Sequence, residues 1–190
     1  MGKVIHIFNG QNRGKKSMNV LSALFSKNNV DGQKVLSALY NDSGLVHITE
    51  LATAYGFKVL TQKMDHPELS GYILISDKIR DTFKTDKIIV VNADDSYGHK
   101  RFTVAHELAH YLFDYKSGEY AETYKTNDSE SEQEKKANRF AAEILMPKDE
   151  FIKCMEENKQ LDNDTRIFEI AKRFGVSETA VKRRINEIEE

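Results

Sequence analysis

Residues 106–110 read His-Glu-Leu-Ala-His within an apolar stretch, and this run restricts the possible folds most. Phe102, Val104, Ala105, Leu108, Ala109, Leu112 and Phe113 cover nearly the whole circumference of a helix from about Arg101 to Asp114. A helix that is apolar all round belongs inside a core. This one also carries two imidazoles and a carboxylate, which are costly to bury without partners. Histidines four apart lie about 40° apart around a helix, so both rings can reach one divalent metal. Glu107 lies between them and can hold a water against that ion. These groups are the minimal set for metal-assisted hydrolysis of a peptide bond.

A catalytic zinc needs a third protein ligand and an open position for water. Residues 129–146 form a second helical pattern that Pro147 stops. Its apolar stripe is Ala137, Phe140, Ala141, Ile144 and Leu145, and Glu134 falls in the middle of that stripe. Glu132, Lys136 and Glu143 fall on the opposite face. Ser131 and Glu134 have the spacing of a capping box, but so do Ser129 and Glu132, and the latter box leaves Glu134 free. Glu134 is therefore the expected third ligand. Glu130, one turn earlier on the same face, is the reserve ligand. Asn138, four residues after Glu134, is placed to hydrogen-bond a metal-bound histidine from behind.

The segment from Arg101 to His110, together with Glu134-x-x-Ala-Asn-x-Phe-Ala-Ala-Glu-Ile-Leu-Met-Pro147, resembles the ImmA/IrrE family of metallopeptidases. The likeness runs from about Leu45 to the C-terminus and takes in Leu51-Ala-x-x-Tyr-Gly-Phe and the apolar runs at 70–75 and 88–92. It implies a gluzincin-like fold. His106, His110 and Glu134 would be the zinc ligands, and Glu107 the general base. It also implies a protein substrate, one regulatory protein such as a DNA-bound repressor, often in phages and mobile elements.

Composition bounds the remainder. With 190 residues the chain can bury a core as one domain, or as one domain with a small module. A formal net charge of −2 gives no general attraction for nucleic acid or acidic membranes. Its one cysteine, Cys154, excludes an internal disulfide, fits a reducing cytoplasm and is expected on a helix, partly buried. No apolar run approaches the length of a membrane span.

Along the chain, Val4–Phe8 suits a short strand, and Val-Leu-Ser-Ala-Leu occurs at both 20–24 and 35–39, read as two short helices. A helix over Ile48–Tyr55 and strands at Phe57–Thr61, Ser70–Ile75 and Lys87–Asn92 follow. The expected fold class is α+β, zincin-like, with a small mixed sheet packed on the buried metal-binding helix. Residues 1–30 form an arm without an assigned role, 31–165 the peptidase domain, and 166–190 a C-terminal hairpin.

That hairpin reads Arg166–Phe174, a turn at Gly175-Val176-Ser177, and Glu178–Ile188, spaced like a helix-turn-helix. Lys172, Arg173, Lys182, Arg183 and Arg184 are largely offset by Glu178, Glu187, Glu189 and Glu190, a weak footprint for DNA. The hairpin is therefore read as packed on, or completing, the peptidase domain. The rival functions are a catalytically silent module that holds a repressor or toxin, and a DNA-binding regulator. For stabilising the oxyanion the sequence offers Tyr97, His99, Tyr111 and Tyr120, and singles out none.

Overall fold

The computed structural model describes residues 45–66, 68–114 and 131–189. The expected N-terminal arm, the strand at 4–8, the helices at 20–24 and 35–39, Glu130 and Tyr120 all lie outside these residues. Among the described residues there are seven α-helices and one three-stranded mixed sheet.

Helix α1 (Ile48–Ala54) buries Ile48, Leu51 and Ala52 and ends before Gly56, whose φ is +86°. Strands β1 (Lys58–Gln62), β2 (Gly71–Ile75) and β3 (Lys87–Asn92) follow, with a 3-10 turn and the short α2 (Arg80–Phe83) between β2 and β3. The sheet order is β1-β3-β2. β3 runs parallel to β1, with Val59 opposite Ile89, and antiparallel to β2, with Ile73 opposite Ile89. The near-continuous apolar run Ile88–Val91 suits the central strand, where both faces are covered. Among the described residues β1 and β2 are the two edges.

Helix α3 (Tyr97–Phe113) lies against this sheet. Val104, Ala105 and Leu108 share a core with Ile73, Ile75, Ile89 and Val91. Helix α4 (Glu132–Leu145) packs along α3, with Phe113 edge-on to Phe140 at 5.5 Å. Helices α5 (Lys148–Glu157), α6 (Asn163–Phe174) and α7 (Glu178–Glu189) complete the described chain. Cys154 lies on α5 and is fully buried, deeper than expected; burial pushes its thiol pKa up. No helix among the described residues is long and apolar enough to cross a membrane.

The α6–α7 turn packs on the first turns of α3. Gly175 caps α6 in the left-handed region (φ +61°), and its carbonyl accepts the Arg101 Nε–H at 2.9 Å. A Cβ on Gly98 would stand 2.5 Å from the Val176 carbonyl carbon and 2.7 Å from the Ser177 nitrogen. Only glycine permits that approach of backbone to helix.

Two sequence expectations change here. Glu143, expected on the solvent face of α4, meets the guanidinium of Arg184 on α7. Arg184, counted among the positive charges of the hairpin that would offer a footprint for DNA, is 4 % exposed. It donates to the Met146 carbonyl at 3.2 Å and to Glu187 at 3.1 Å as well. Helical periodicity located both residues but could not reveal that they face each other.

Candidate metal centre

Ser96 caps α3 by accepting the His99 N–H at 3.3 Å, so the helix starts four residues before the expected Arg101. His106 and Glu107 are both buried on it. At α4 the later of the two capping serines that the sequence offers stands at the helix start. Ser131 is the N-cap and accepts the Glu134 N–H at 3.2 Å. The cap uses the backbone amide of Glu134, and the carboxylate is turned toward α3.

There the three predicted ligands meet. Glu134 Oε2 lies 3.1 Å from His106 Nε2, and Oε1 lies 3.0 Å from His110 Nε2. The two Nε2 atoms are 3.1 Å apart. Two ligand atoms ~2.0 Å from a tetrahedral metal stand ~3.3 Å apart, so these separations fit one small ion.

Proton accounting gives a second test of the fit. His110 Nδ1 lies 3.0 Å from Asp114 Oδ2, and His106 Nδ1 lies 3.0 Å from Asn138 Oδ1. Both partners are acceptors, so each Nδ1 carries the hydrogen and donates it. A neutral ring then has only a lone pair at Nε2. In that tautomer both Nε2 atoms face the Glu134 carboxylate in a largely buried site, an arrangement that could hold a cation at its centre.

Asn138 therefore lies where its position on α4 suggested. Asp114 was missed, although its signal was present: an acidic residue four after His110, on the same helix face. Of the described oxyanion candidates, Tyr111 is buried, and its hydroxyl oxygen accepts from Lys87 Nζ at 2.8 Å. Tyr97 points outward beside Arg101. His99 lines the groove described next, with Nε2 3.1 Å from Ser70 Oγ.

A groove of about 1390 Å³ opens beside the three ligands. His106 and Glu134 form part of its wall, while Glu107 and His110 do not. One side is the loop before β2, with His66 and Leu69; the other is formed by α4 and α7. His66 thus stands on the wall of the groove.

Comparison with known proteins agrees with this architecture at the level of family. No curated protein matches the chain. A solved Mycobacterium tuberculosis transcriptional regulator aligns with 19 % identity and a TM-score of 0.45, over 88 % of this chain and 50 % of that one. The chain thus spans half the length of that neighbour. The model of the IrrE N-terminal-like domain, peptidase M78, matches residues 52–186, well over half of the sequence and both helices of the site, and the chain belongs to this ImmA/IrrE family.

Proposed function

We propose that the protein is a zinc-dependent endopeptidase of zincin-like fold that cleaves a particular regulatory protein, such as a DNA-binding repressor. The observation that carries this reading is the convergence of His106, His110 and Glu134 with Glu107 buried on the same helix. In this reading those three residues hold zinc, and Asn138 and Asp114 fix the two imidazole rings in the tautomer that presents Nε2. When bound, zinc would acidify a water and polarise the scissile carbonyl. Glu107 takes the proton from the attacking water and returns it to the leaving amine. The packed α3–α4 pair holds these groups in place, so little reorganisation accompanies the reaction. The C-terminal hairpin, helix-turn-helix-like in outline, serves as a wall of the substrate groove, and the protein works in the cytoplasm.

Metal content and Glu107→Gln test this together. The wild type should hold one zinc per chain, and His106→Ala and Glu134→Ala should lose it. Glu107→Gln should keep the metal and cleave the partner protein ~100- to 10,000-fold more slowly. Wild-type cleavage rates in Glu107→Gln would remove Glu107 from the mechanism.

A further inference from the structure

The groove continues past the metal ligands to a second set of side chains. Arg139 on α4 and Arg183 on α7 both line it, and both are exposed. Arg139 sits one turn before Glu143, and Arg183 immediately precedes Arg184. The Glu143–Arg184 contact ties the two helices together at this level. Arg139 and Arg183 thus both stand on the wall that these two helices form.

The other cations on these walls are already engaged. Arg184 is held by Glu143, Glu187 and the Met146 carbonyl. Lys135 pairs with Glu132 at 2.9 Å, and Lys136 Nζ stands 4.2 Å from the centre of the Phe113 ring. Arg139 and Arg183 have no ion pair among the described residues. Glu68 also lines the groove, from the loop before β2. A guanidinium presents a fixed fork of donors that matches a carboxylate.

We propose that Arg139 and Arg183 form a subsite for an acidic side chain of the cleaved polypeptide. Arg139 lies five residues from Glu134, a rise of ~7.5 Å along the helix. An extended peptide advances ~3.3 Å per residue, which places the acidic side chain roughly two or three residues from the cleaved bond. This inference rests on the peptidase reading above, and its test keeps the two apart.

The test maps cleavage sites in a peptide library by mass spectrometry, using the zinc-loaded full chain. Asp and Glu should be enriched at one position, two or three residues from the cut. The enrichment should vanish when Arg139→Ala and Arg183→Ala are combined. It should change to Lys and Arg in Arg139→Glu with Arg183→Glu, at unchanged zinc content. Cleavage with no acidic preference, or a preference that the double variants keep, overturns the subsite and leaves the peptidase reading standing.

Should the wild type cut nothing, that result counts against the peptidase reading, and binding decides the subsite. Fluorescence anisotropy with Glu107→Gln should then show a labelled Glu-rich peptide binding at least about tenfold more tightly than a Lys-rich peptide of equal length. That advantage should be lost when Arg139→Glu and Arg183→Glu are added. Equal affinities overturn the proposal. So does a labelled DNA duplex that binds more tightly than the acidic peptide and is released by the same two substitutions.

Discussion

Helix α4 carries a carboxylate near each end, and the two answer burial in different ways. Near its C-terminus Glu143 meets Arg184, a cation the chain supplies. Near its N-terminus Glu134 meets the Nε2 atoms of two imidazoles on α3. Both contacts join α4 to another helix, and both groups are mostly shielded from water. The first cluster is balanced within the chain and reads as structure. The second gathers three side chains that could hold a metal ion, and that donor set marks it as a candidate site.

Breaking each cluster should expose the contrast. Glu143→Ala leaves the Arg184 guanidinium buried with only Glu187 and the Met146 carbonyl. Urea unfolding should show a loss of roughly 3 kcal/mol, with zinc uptake by the folded protein unchanged. A change near zero would reduce this contact to an ordinary surface pair. The Glu134 cluster should behave in the opposite sense. Zinc at a hundred times its dissociation constant should stabilise the wild type by ~2.7 kcal/mol and leave Glu134→Ala unmoved. Equal stabilisation of both would put the ion elsewhere.

Smaller effects sharpen the picture. Asp114→Ala frees His110 Nδ1 to change tautomer and should weaken zinc affinity by ~10- to 100-fold in a competition titration. Unchanged affinity would make Asp114 a bystander. Tyr55 belongs to neither cluster. Its phenol pKa is pushed up to about 12, first by burial and then by the neighbouring Tyr111 phenol. Only the ionised form is disfavoured in the fold, so nothing changes below the ordinary value of 10.0. From there to about 12 the unfolded chain loses its proton first, and stability falls as pH rises. In chelated protein, Tyr55→Phe should lessen that alkaline loss of urea stability. An identical pH profile would assign it to other groups.

The contrast between clusters also explains what the sequence disclosed. His106, His110 and Glu134 were legible because polar groups on apolar faces contradict their surroundings. The strand at Lys87–Asn92 was legible with its bounds, since four apolar residues between turns have few other uses. The first turn of α3 was not, because Gly98 is a poor helix former and that turn is secured by the α6–α7 turn against it. The start of α6 was placed at Arg166 from periodicity, while the Asp162 cap sets it at Asn163. The Glu143–Arg184 pair was illegible, since its partners lie 41 residues apart and each suits an exposed helix face. Local pattern reports conflict within one element. It does not report agreement between two.

The hydrogen bond from Arg101 to the Gly175 carbonyl spans 74 residues. Synthesis runs in one direction, so Glu134 leaves the ribosome well before Gly175. At ~5–20 residues per second the interval is roughly two to eight seconds. During it the nascent chain holds all three candidate metal ligands but lacks the far wall of its groove. The three candidate ligands are made first, and the helices that shape the cleft come later, so synthesis of α6 and α7 is itself a step in assembling the site.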